Sequence, residues 1–261
     1  MLCVVGGYVW GVIQLHDVVY MVCEQFSVIR RFNATTHQRL IDIDVKDLRT
    51  PWDLVVCERT SQLYVADYEE CIWRVSTDGT DIKHWLPKSP DDTFKPHTLS
   101  VTSTRLLVTS LRTRQLRQFD ADGDELRRVQ LPDHVEPRHA VESPTGTFIA
   151  SLNNTQLKQW QVVEVNTVGE VLRQFSGSRL TSLGFTPHIA VAHSHGKILV
   201  ADYVNHRILL LDNHLSLRRV IIDEHQLNYK SPLRLCYRED KGQLLVMLWS
   251  SGVAVFDAVS S

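Results

Sequence analysis

The segment 198–212, ILVADYVNHRILLLD, returns at 63–76 as LYVADYEECIWRVS, and four fainter copies share its layout. Each copy opens near a proline or tryptophan and runs through a short apolar strand. A second strand, a small-residue or turn-forming stretch, a third strand and a charged outer strand follow. The opening prolines, Pro51, Pro96, Pro137, Pro187 and Pro232, stand 45, 41, 50 and 45 residues apart. A period of about 40–50 residues made only of strand-like segments is the pattern of a β-propeller, with one four-stranded blade per repeat. Such an architecture places function on the loops that join the strands.

Six blades are predicted, at residues 10–45, 51–86, 96–131, 137–176, 187–222 and 232–259, with strands expected within them at 40–45, 115–119, 188–192, 207–211, 217–222 and 243–248 among others. The turns Ser76-Thr77-Asp78-Gly79 and Asp120-Ala121-Asp122-Gly123 join outer strands, since glycine takes the positive φ that such hairpins need. The last blade has room for three strands, whereas residues 2–5 read as a strand with no partner. The N-terminal strand is therefore expected to complete the last blade and latch the ring, because an open ring would leave a long unpaired edge.

At 261 residues the chain is expected to form one all-β domain. A net charge of −2 argues against a strongly basic nucleic-acid binder, although a locally basic face remains open. The cysteines, at 3, 23, 57, 71 and 236, are odd in number and contain no CxxC pair, so neither a disulfide framework nor a zinc knuckle is implied. They read as small core residues of a protein in a reducing, cytoplasmic setting. Residues 1–15 are uncharged but lack a basic leader region and are too few to span a membrane. A start inside a strand pattern is also what the C-terminal part of a longer protein would show.

Val65-Ala66-Asp67 and the run from Val200 to Ile208, VADYVNHRI, resemble the NHL repeat. Asn205-His206-Arg207 stands where that family has its Asn-His-Leu triplet. The copy at 51–86 keeps the aspartate but has Glu70-Cys71 at the Asn-His position, and the other copies keep only spacing and apolar positions. The resemblance implies a six-bladed ring of the kind found at the C-terminus of tripartite-motif (TRIM) ubiquitin ligases, where it binds protein or RNA partners. No RING or B-box pattern occurs, so the chain itself carries no ligase chemistry.

Two sets of repeat-equivalent positions are expected on one propeller face, around the channel mouth. They place Trp52, Tyr68, His97, Arg138, His188, Tyr203 and Trp249 in a shallow bowl, which Arg112 and Arg114 of the third blade extend. Aromatic and arginine side chains dominate recognition surfaces, so a protein or peptide partner is expected there, and single-stranded RNA is the alternative. Asp67 and Asp202 are read as structural, accepting backbone N–H groups in the turn after the second strand. His97 and His188 also resemble the channel histidines with which peptide-amidating lyases bind zinc. A third ligand is missing from this reading, with His139 one residue out of phase and pointing away, so no metal, cofactor or catalytic residue is expected. His193-Ser194-His195-Gly196 reads as a hairpin turn rather than a reactive site.

Overall fold

The computed structural model describes residues 8–68, 70–86, 93–175, 187–192, 196–249 and 252–257. They form twenty-three strands and no helix. Each sheet is an antiparallel meander: β1(Val9–Leu15), β2(Val18–Cys23), β3(Val28–Asn33) and β4(Ile43–Asp44); β5(Pro51–Cys57), β6(Gln62–Asp67), β7(Cys71–Ser76) and β8(Ile82–Leu86); β9(Thr98–Thr102), β10(Arg105–Ser110), β11(Gln115–Phe119) and β12(Glu125–Gln130). The second half of the chain supplies β13(Val135–Glu142), β14(Phe148–Asn154), β15(Gln159–Val165) and β16(Val171–Phe175); β17(His188–Ala192), β18(Lys197–Asp202), β19(Arg207–Leu211) and β20(Leu217–Ile222); and β21(Pro232–Arg238), β22(Gln243–Leu248) and β23(Gly252–Asp257). The first strands β1, β5, β9, β13, β17 and β21 touch in sequence, and β21 touches β1. The molecule is a six-bladed β-propeller.

Burial explains why these segments form sheets. Second strands are buried along nearly their whole length, as strands covered on both faces must be, and inner strands are mostly buried but carry polar residues. The outer strands alternate or stay exposed, as in β16, where only Phe175 is half-buried. Six apolar clusters fill the spaces between blades, and each is built from two neighbouring sheets. One of them joins the first blade to the last, through Val12, Met21 and Cys23 against Leu233, Cys236 and Leu245. The same seam carries polar ties: Arg234 Nε donates to Trp10 O at 3.2 Å and Arg238 Nη1 to Gln14 O at 2.8 Å. The expected closing strand, residues 2–5, lies outside the described residues. Side-chain packing closes the ring among those that are described.

Strand ends match the sequence reading closely, and β11, β17, β19, β20 and β22 coincide with it residue for residue. The first blade departs most. Its predicted outer strand over 40–45 shrinks to Ile43–Asp44, with a lone bridge between Phe32 and Arg39. Gly79 and Gly123 adopt φ of +81° and +97°, as their turns require. Asp120 caps its turn by accepting the amides of Asp122, Gly123 and Asp124. Asp212 does likewise for His214 and Ser216, where Leu215 takes φ +61° in the glycine position. Cys23, Cys57, Cys71 and Cys236 are buried free thiols. No described helix is long and apolar enough to cross a membrane.

Two inner strands approach closely at Gly11. A Cβ there would lie 2.7 Å from Leu54 N, 2.8 Å from Leu54 Cβ and 2.9 Å from Val22 Cγ2. Because the obstacle includes backbone of the next blade, Gly11→Ala is expected to cost about 1–3 kcal/mol. The urea midpoint should fall with the m-value unchanged. An unchanged midpoint would show that the first two blades do not meet this tightly.

Candidate functional site

Each inner strand meets its second strand in a defined register, and irregularities in that register decide which side chains reach the channel. In β1, β5, β13 and β21 the pairing skips one residue, at Trp10, Trp52, Arg138 and Leu233. Such a β-bulge opposes two residues to one and reverses the phase of the strand. Beyond it, Gly11, Asp53, His139 and Arg234 pair with Val22, Ala66, Ser151 and Met247. In β17 no bulge occurs, and His188 pairs with Ala201 directly. His188 is therefore equivalent to Asp53 and His139, not to Trp52.

Two layers result. The upper one, at the mouth formed by the loops entering the inner strands, is aromatic. Trp10 and Trp52 stack with centroids 4.2 Å apart, and Trp52 continues to Tyr68 at 4.9 Å and His97 at 5.6 Å. On the other side Trp249 lies 6.1 Å from Trp10, 4.8 Å from Tyr8 and 6.4 Å from Tyr203. His97 is buried, and its Nδ1 lies 3.2 Å from the carbonyl oxygen of Arg138. Of the bowl expected from sequence, Trp52, Tyr68, His97, Tyr203 and Trp249 thus share one connected group. The Arg138 guanidinium packs 5.5 Å over Trp160 and pairs with Glu136 at 3.8 Å. Arg114 pairs instead with the exposed Asp133 at 3.5 Å, and Arg112 is exposed.

The lower layer is polar and buried. Asp53 accepts the amides of Leu54 at 3.0 Å and Leu99 at 2.9 Å, and lies 3.7 Å from Arg234 Nε. His139 and His188 stack with centroids 3.8 Å apart. The reading of His139 as pointing away is corrected here: the bulge at Arg138 turns it into the channel. His139 Nε2 lies 3.3 Å from Leu99 O, and the Leu235 amide donates to His188 Nδ1 at 3.2 Å. Below this layer a cavity of about 1190 Å³ extends between apolar walls such as Val12, Leu99, Val141 and Ile189. It ends among His16, Glu58, Ser103 and Asp240, at the hairpins between first and second strands. None of the upper-layer rings lines it.

Asp67 and Asp202 are structural but bind differently from expectation. Asp67 accepts the amides of Arg49 and Thr50, at 3.1 and 2.7 Å, which anchors the segment entering β5 rather than its own turn. Asp202 is held by side chains, Asn205 Nδ2 at 2.9 Å and Arg207 Nε at 2.8 Å. The turn at 193–195 lies outside the described residues.

Asp53 and Arg234 went unrecognised in the sequence, and His139 was set aside as out of phase, although a signal exists. In three blades the second residue after the opening proline is charged or ionisable: Pro51-Trp-Asp53, Pro137-Arg-His139 and Pro232-Leu-Arg234. An ionisable residue repeated at one offset within an apolar strand marks a shared position. In the fifth blade the offset is one, because its strand has no bulge.

Burial sets the charge states. It pushes the Asp53 carboxyl up, against the pull of Arg234 and the two amides, and pushes Arg234 down. His97 and His139 fall to about 3, mainly by burial, with Arg234 adding repulsion. His188 falls well below its ordinary value for the same reason, with neighbouring His139 contributing. All three rings are neutral at pH 7.

No family model matches the sequence, and no curated protein matches it. Solved structures do share the fold. Hydrazine synthase of Kuenenia stuttgartiensis is 11% identical with a TM-score of 0.67, over 97% of this chain and 96% of that one. A streptogramin B lyase is 12% identical with a TM-score of 0.66, over 97% and 95%. The Cps50 (Swd1) β-propeller domain of Myceliophteria thermophila is 11% identical with a TM-score of 0.64, over 96% and 84%. The likeness is one of fold: enzymes and a non-enzyme-named propeller domain stand side by side.

The depressed histidines carry a stability consequence. An unfolded chain protonates them near pH 6.5, whereas in the fold His97 and His139 stay neutral down to about 3. Stability is therefore present above pH 6.5 and falls as the pH drops through this window. The slope approaches about 1.4 kcal/mol per pH unit for each such ring. Urea midpoints between pH 7.5 and 5 should fall steeply, and His97→Gln should flatten the fall. A level profile would mean that the rings accept protons in the folded state.

Proposed function

We propose that the protein is a non-catalytic binding module that captures a protein or peptide on its aromatic face. The observation that carries this reading is the connected aromatic group from Tyr8 through Trp249, Trp10 and Trp52 to Tyr68. Its outer members are half-buried and Tyr8 is 41% exposed, so rings already held by their neighbours meet solvent. Prearranged aromatics lose little freedom on binding, and their faces and edges suit a peptide's apolar and amide groups. The resemblance to NHL repeats points the same way, toward recruitment of a protein substrate for a ubiquitin ligase.

Single-stranded RNA is the weaker reading on charge. A polyanion needs a continuous positive field beside its stacking rings. His97 and His188 are neutral, Arg138 is paired with Glu136 and Arg114 with Asp133. Arg112 supplies exposed charge at the rim, which by itself is not a continuous positive field.

A displayed library of random peptides, selected on the immobilised protein, tests the proposal. Enriched sequences should be rich in apolar residues and bind with little dependence on salt. Tyr68→Ala should weaken them at least tenfold while the melting temperature changes by a few degrees. Failure to enrich any peptide, together with tight and steeply salt-dependent binding of oligouridine, would replace this reading with RNA recognition.

A further inference from the structure

Two neutral imidazoles and a carboxylate are costly to collect in one buried layer unless something engages them. One nitrogen each of His139 and His188 and one oxygen of Asp53 lie within 4.8 Å of one another, and all three side chains are buried. The layer nevertheless borders the cavity that reaches the hairpin face, so a dissolved ion has a way in. His139 places Nε2 on Leu99 O, while its Nδ1 is buried with no partner among the described residues. A ring held on a backbone carbonyl through one nitrogen, with the other free, is how metal-binding histidines are commonly oriented. Asp53 is oriented in the same manner by two amides, and each of its oxygens keeps a lone pair.

We propose that Asp53, His139 and His188 form a binding site for a divalent transition-metal ion of the zinc type. Two imidazoles with one carboxylate suit such a borderline cation, and three protein ligands leave a coordination position open toward the cavity. Tetrahedral bonds of about 2.0–2.1 Å require the ligand atoms, now within 4.8 Å of one another, to draw together by up to roughly 1.5 Å, which side-chain rotation supplies. His188 Nδ1 accepts the Leu235 amide at 3.2 Å and so holds the lone pair of the neutral ring; this ring meets the ion through Nδ1, exchanging the amide contact for the metal bond with no proton released. Arg234, 3.7 Å from Asp53, opposes the ion by charge. Affinity of about micromolar order is therefore expected, weaker than that of closed structural sites. This site is separate from the aromatic face, and either assignment stands if the other fails.

Chelator-stripped protein titrated with zinc sulfate in a calorimeter, and with cobalt(II) followed by visible absorption, tests the site. The wild type should take up one ion per chain at a Kd of about micromolar order. His139→Gln and Asp53→Asn should each weaken uptake at least about 30-fold, whereas His37→Gln, on an exposed turn, should not change it. Absence of stoichiometric uptake at 100 times that concentration overturns the site whether or not the variants fold. Equal uptake by a folded His139→Gln protein also overturns it, since the ion then binds elsewhere.

Discussion

The second and third strands of every sheet are covered on both faces by the neighbouring blades, and the rest of the structure follows from that. A single four-stranded meander cannot stand alone in water, because its apolar strands need cover on either side. Six such sheets arranged in a ring supply one another's cover, and the cluster between the last blade and the first completes the set. Apolar burial contributes about 25 cal/mol per Å², so an arc left open at this seam would expose Val12, Met21, Leu245 and their neighbours at a cost no loop could offset. Arg234 and Arg238 add direction, fixing which height of β21 faces which height of β1. Radial order in turn fixes the two layers of side chains at the centre.

Much of this was legible in the sequence. The period, the opening prolines and the Asp-Gly and related turns located all six blades, and strands such as β11 and β22 fell where alternation placed them. The outer strand of the first blade was overestimated because Leu40 and Ile41 look strand-forming yet are exposed, with nothing on the far side to cover them. The site was read less well, for a specific physical reason. Alternation assigns each residue a side only while the ladder is regular, and four bulges at the start of inner strands reverse it. His188 was thereby grouped with Trp52, and His139 was turned outward. The bulges reflect tertiary closure, in which the strands must bend around a narrow channel, and single-strand periodicity carries no trace of that.

Charge at the centre is arranged by burial more than by pairing. Arg234 and Asp53 stand too far apart for a hydrogen bond, and each is drawn toward its neutral form. The three histidines stay uncharged, and so contribute lone pairs and ring surface rather than positive field. A sequence census that counts His97 and His188 with the arginines therefore overstates the basic character of the face. The two repeat aspartates show the converse case: Asp67 and Asp202 share a position, yet Asp67 holds two backbone amides and the Trp73 indole N–H whereas Asp202 holds side chains of the following turn, because only the fifth blade supplies Asn205 and Arg207.

The aromatic mouth and the mouth of the cavity lie toward opposite ends of the inner strands. Among the described residues, a small molecule that enters from the hairpin side meets the polar layer, and no ring of the upper layer lines its path. Traffic on the two sides is therefore sterically independent: a macromolecule seated on the aromatic side leaves the opposite entrance unobstructed. Any communication between them would have to pass through the short stretch of inner strand that joins Trp52 to Asp53 and Arg138 to His139.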